Sequence, residues 1–126
     1  MPLLDSSPIM AFCATANPER AKAFYRDQLG LKLIEDSHFA LVFDAAGTML
    51  RVQKVKEVHA AQYTALGWRV QDIAATVEEL EKAGVKMERY AFPGVDEKGI
   101  WTPPGSTAKV AWFLDPDGNI LSLTQF

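Results

Sequence analysis

Apolar residues recur along the chain in two alternating rhythms, and the order of those rhythms repeats. Pro8 to Thr15 is mostly apolar and predicts a buried strand. Asn17-Pro18 then predicts a helix start, with Asn as N-cap and Pro in the first turn. Ala21, Phe24, Tyr25 and Leu29 fall on one helical face, and Gly30 is placed to end the helix in a left-handed conformation. Strands are expected at Leu31–Glu35 and Phe39–Phe43 around a polar turn at Asp36-Ser37-His38, and a fourth at Thr48–Gln53. Residues 1–7 read as a loose lead-in.

The second half follows the same order. Ala65–Val70 predicts a strand, and Asp72 caps a helix whose apolar face is Ile73, Val77, Leu80 and Ala83, closed by Gly84. Glu78, Glu79, Glu81 and Lys82 form its solvated face. Val85–Phe92 predicts a strand, Pro93 to Pro104-Gly105 a long loop, and Thr107–Leu114 and Asn119–Gln125 the closing strands. Local echoes support two copies of one unit. Leu29-Gly30-Leu31-Lys32-Leu33 matches Ala83-Gly84-Val85-Lys86-Met87, and Asp44-Ala-Ala-Gly47 matches Asp115-Pro-Asp-Gly118. In the second turn Asp115 can accept from amides two residues on, Pro116 presets φ, and Gly118 supplies the reversal. The expected organisation is one domain over 1–126, with module one at 1–57, a linker at 58–63 within the charged, small-residue stretch Lys54–Gln62, and module two at 64–126. A long loop inside a compact domain is usually a lid or a binding loop. Trp101 in this one either closes over a cavity or tucks into the core.

Composition narrows the function classes. The chain has 126 residues, 48% hydrophobic and 23% charged, the balance of a globular domain. Thirteen basic residues against 16 acidic ones are scattered, which argues against nucleic acid. The single Cys13 rules out an internal disulfide or a Cys-based zinc site and fits a reducing cytoplasm. Cys13 itself reads as a small buried apolar side chain rather than a nucleophile. No basic stretch precedes a long apolar run, so neither a signal peptide nor a membrane span is expected.

The duplicated βαβββ order, with Phe24-Tyr25, Leu29-Gly30-Leu31, Val70-Gln71-Asp72-Ile73, Leu80 to Gly84 and Phe113-Leu114-Asp115-Pro116-Asp117-Gly118-Asn119 in sequence, resembles the vicinal oxygen chelate superfamily of glyoxalase I, bleomycin-resistance proteins and extradiol dioxygenases. The resemblance implies an α+β fold: two βαβββ modules forming an eight-stranded, incompletely closed mixed sheet around a cavity. It also implies a homodimer. In that family a divalent metal in the cavity acts as Lewis acid, held by His, Glu or Gln from equivalent strands of the two modules. Counting from the shared motifs puts Met10, Arg51, Ala65 and Ser122 at those four positions. None suits a hard divalent ion, and the guanidinium would repel one. No cofactor is therefore expected. His38 and His59 fall in a turn and in the linker and read as solvated surface.

Strand alternation extends the candidate lining. With Arg51 go Met49 and Gln53, with Met10 goes Phe12, and with Ala65 go Gly67 and Arg69. Trp68, Trp101 and Trp112 are further candidates for ligand binding alongside Ser122. Such walls suit a small organic molecule, partly aromatic or anionic. Arg51 either meets a ligand's oxygens or pairs with an internal carboxylate. Asp44, Asp72 and Asp115 have turn or capping roles, which leaves Glu35, Glu88 and Tyr90 as the only strand residues for acid–base chemistry. Two classes of function follow: a metal-free binding protein for a small molecule, or a divergent lyase, isomerase or dioxygenase-type enzyme. A metalloenzyme with relocated ligands is a third.

Overall fold

A computed structural model of the chain describes residues 3–126. Met1 and Pro2 of the expected lead-in lie outside the described residues, and Leu3–Ser7 forms bends and a turn. Strands β1 (Met10–Thr15), β2 (Lys32–Asp36), β3 (Ala40–Ala45) and β4 (Thr48–Lys54) form one sheet in the order β1-β4-β3-β2. Strands β5 (Thr64–Arg69), β6 (Met87–Glu88), β7 (Lys109–Leu114) and β8 (Ile120–Gln125) form the second, in the equivalent order β5-β8-β7-β6. In each sheet the first strand runs parallel to its neighbour and the other pairs are antiparallel. The fold is thus α+β with two βαβββ units. The eight strands hydrogen-bond as two four-stranded sheets and do not close into a barrel.

The helices begin where their caps predict. Asn17 accepts from the Arg20 amide to open α1 (Pro18–Lys22), and Asp72 accepts from Ala75 to open α2 (Ile73–Lys82). The first helix departs from expectation after one turn and continues as a π-helical segment, Ala23–Gln28. A π turn carries an extra residue, and here consecutive Phe24 and Tyr25 are both buried. Strand β6 is shorter than the expected Val85–Phe92. Trp101 takes its place beside β7, exchanging both backbone hydrogen bonds with Val110 at 2.8 and 2.9 Å.

One core fills the space between the helix-side faces of both sheets. Tyr25 packs on Phe43 of the first sheet, ring centroids 5.7 Å apart, while Phe24 reaches Phe113 of the second at 6.4 Å. Leu41, Leu50, Val52, Ile73, Val77 and Leu121 complete it. Because strand residues alternate faces, Met10 and Phe12 of β1, Met49, Arg51 and Gln53 of β4, and Trp112 and Ser122 of β7 and β8 lie on the outer faces.

The two units are tied by the β7–β8 turn. Asp115 is 5% exposed, and its Oδ1 accepts from the amides of Asp117 and Asn119, both at 2.9 Å. Its Oδ2 accepts from the Tyr25 hydroxyl at 2.6 Å and from Asn119 Nδ2 at 2.8 Å. Asn119 Nδ2 also donates to the Ala14 carbonyl, and Asp117 accepts from the Ala16 amide. A buried acceptor with four donors cannot be removed without stranding them. Asp115→Ala should therefore lose about 3 kcal/mol or more of unfolding free energy, and Tyr25→Phe about 1–2 kcal/mol. Urea unfolding midpoints at constant slope test both; a loss below about 1 kcal/mol for Asp115→Ala would remove the turn from this role.

Candidate functional site

The outer face of the second sheet carries a cavity of about 610 Å³. Its floor is Trp112 and Leu114 of β7, Ile120 of β8 and Thr64 of β5. One wall is Glu88, Tyr90 and Phe92, which alternate along the chain and so share a side. The opposite wall is the stretch Ala60 to Tyr63 that joins the units.

Aromatic rings interlock around the floor. Tyr90 meets Trp112 edge-on at 5.3 Å, and Phe92 meets it at 6.0 Å. Trp101 packs against Trp112 at 5.8 Å and Phe92 at 5.2 Å, and its indole N–H donates to the Pro93 carbonyl at 3.0 Å. The 93–106 loop is thus docked as an added edge to β7, with Ile100 buried beneath it and Trp101 propping the aromatic group. Burial, and then the charge of neighbouring Glu88, raise the Tyr90 phenol above its ordinary pKa.

The expected site residues separate into two groups. Trp112 and Trp101 belong to this aromatic set, and Ser122 is buried one strand away, paired with Trp112 on one side and Gly67 on the other. A Cβ at Gly67 would come within 2.9 Å of Ser122 Oγ, so a side chain there would force the serine to shift. Met10, Phe12, Met49, Arg51 and Gln53 lie on the other sheet and do not line the cavity. Arg51 has no carboxylate within 4 Å among the described residues. Trp68 turns to the helix side and stacks on Phe113 at 6.3 Å. Arg69 sets its guanidinium over the Phe126 ring at 5.2 Å. Ala65 is the unpaired residue of a bulge between Thr64 and Leu66. The sequence reading missed Phe92, Tyr63 and the linker wall. The Glu88-x-Tyr90-x-Phe92 alternation could have found the first of these.

The residues at the inherited metal positions do not fit a divalent ion. They offer a thioether, a guanidinium, a methyl and a hydroxyl, split between the outer faces of two sheets. Among the described residues no group of three or more His, Cys, Asp or Glu could hold a metal. His38 and His59 are exposed, and His38 rests against Phe39.

The comparisons agree with this architecture. A family model of the Glyoxalase/Bleomycin resistance protein/Dioxygenase superfamily matches residues 9–123. The chain belongs to that superfamily, the vicinal oxygen chelate group. A glyoxalase family protein from Enterococcus faecalis superposes with a TM-score of 0.76 at 18% identity, over 97% of this chain and 99% of that one. The genomically encoded fosfomycin resistance protein FosX from Listeria monocytogenes gives 0.75 at 14% identity, over 96% and 93%. A lactoylglutathione lyase from Agrobacterium tumefaciens gives 0.67 at 19% identity, over 94% and 93%. At these identities the likeness is one of fold. No curated protein sequence matches the chain.

Cys13, the single thiol, is half-buried with its sulfur 3.4 Å from the Tyr25 hydroxyl. Burial pushes its pKa from 9.0 to about 11. At pH 8 roughly one thiol in a thousand is then thiolate, so a disulfide reagent should label the native protein far more slowly than the unfolded chain. The unfolded thiol ionises near pH 9 and the folded one near 11. Between those values the folded state holds the extra proton, and stability should fall as pH rises. Thermal melts from pH 8 to 11 check the sign; stability rising through that window would contradict it.

Proposed function

We propose that the chain binds a small, planar, partly aromatic organic molecule in the cavity of its second sheet, without a divalent metal. The observation that carries this reading is the cavity itself: an aromatic and aliphatic lining of a size that suits a compact ligand, with few polar groups. Trp112 supplies the stacking face, Tyr90 and Phe92 the edge, and the linker the far wall. Stacking of this kind contributes on the order of 1 kcal/mol per ring.

A second copy of the chain is the partner this reading expects. Ile9, Met10, Phe12, Ile34 and Met49 are 41–79% exposed on the first sheet and its approach, an apolar patch of the sort that marks an interface. Cytoplasmic residence belongs to the same proposal and rests on the single free thiol. Among the described residues no helix is long and apolar enough to cross a membrane.

The alternative is a divergent lyase, isomerase or dioxygenase-type enzyme. Glu88 beside the protonated Tyr90 in the cavity favours it, since a carboxylate base and a phenol acid can move a proton on a bound substrate.

Titration calorimetry with neutral acridone, run with and without EDTA, tests the binding reading. Affinity should survive the chelator and fall about tenfold in Trp112→Ala. Loss of binding on chelation, or stoichiometric zinc, nickel, manganese or iron in the purified protein, would overturn the metal-free claim. Light scattering should give twice the chain mass; a monomer at micromolar concentration would remove the dimer.

A further inference from the structure

The cavity's walls carry one charge. Among the described residues Glu88 is the only carboxylate that lines it, and no Lys, Arg or His does. Glu88 has no cationic partner within 4 Å among the described residues. The nearby basic residues do not line it, and Lys86, two residues before Glu88, is exposed. Arg89 runs past Gly99, on the loop side of β6, and Lys109 points to the Thr102 hydroxyl at 3.5 Å. Arg51 is on the other sheet.

Taking the cavity to be the ligand site proposed above, we infer that its ligand is a planar aromatic cation, a ring system bearing a protonated amine or a ring nitrogen with a fixed positive charge. Two features converge on that charge. The rings of Trp112, Tyr90 and Phe92 line the cavity, and the stacking face of Trp112 presents the negative side of its quadrupole, which attracts a cation and does nothing for an anion. Beside them stands the unpaired carboxylate of Glu88, which a ligand N–H can meet with a charge-assisted hydrogen bond. An anionic ligand would face that carboxylate across a half-desolvated wall with no cationic side chain to compensate it. The anionic ligand suggested by Arg51 finds no guanidinium in this cavity.

Three probes on one tricyclic core separate charge from shape: 9-aminoacridine as cation, acridone as neutral and acridine-9-carboxylate as anion. The full-length protein at pH 7 should bind 9-aminoacridine about tenfold more tightly than acridone, and the carboxylate most weakly. In Glu88→Gln the affinity for 9-aminoacridine should fall about tenfold while acridone is unchanged. Glu88→Asp should keep part of the preference. Circular dichroism of the variants confirms the fold. Acridone binding with no preference among the three charges, or with the carboxylate favoured, overturns the cation assignment and leaves the binding cavity standing. Failure of all three probes to bind overturns both.

Discussion

One buried carboxylate, Asp115, holds the arrangement on which the cavity depends. Its four hydrogen bonds set the β7–β8 turn, and they do so with donors from both units: the turn's own amides, Asn119, and the hydroxyl of Tyr25 from the first helix. Asn119 extends the link to Ala14, and Asp117 to Ala16. The matching turn in the first unit shows what the duplication changed. There Asp44 is exposed and, among the described residues, its side chain accepts from the Gly47 amide alone. The same Asp-x-x-Gly frame serves as a plain reversal in one copy and as the junction between copies in the other.

With the helix-side faces drawn together, each sheet is left with an outer face. The second sheet carries the cavity because its edge is rebuilt. β6 stops at Glu88, Trp101 pairs with Val110 instead, and the chain between them carries Tyr90 and Phe92 up the side of Trp112. The linker closes the opposite side. The aromatic group is held by its neighbours: Trp101 is fixed through its indole to Pro93, so Phe92 and Trp112 rest on a braced ring. Bracing of this kind preorganises the cavity.

Much of the fold was legible from local chemistry. Asn17, Asp72, Gly30 and Gly84 bound their helices as capping rules require, and the two turns reverse where Gly47 and Gly118 allow it. The π-helical segment was not legible, because its cause is tertiary: Phe24 must reach Phe113 while Tyr25 reaches Asp115. The site was legible in part. Alternation grouped Met49, Arg51 and Gln53, and Met10 with Phe12, but it carries no information on how the sheets face each other, so these residues were expected around one cavity with Trp112 and Ser122. That relation, set by the shared core, separates Arg51 from Trp112. Trp68 was ambiguous for a simpler reason, the bulge at Ala65, which shifts parity within β5.

Under the proposed function, ligand meets the outer face of the second sheet and not the interior between the sheets. The three tryptophans report on it separately, since Trp112 and Trp101 lie in the aromatic group and Trp68 stacks inside on Phe113. Each indole N–H gives its own resonance in a proton–nitrogen correlation spectrum of the labelled protein. On titration with a planar aromatic ligand, the Trp112 and Trp101 signals should move together and saturate while Trp68 stays in place. Movement of Trp68 alone, or saturation with Trp112 unmoved, would contradict the account.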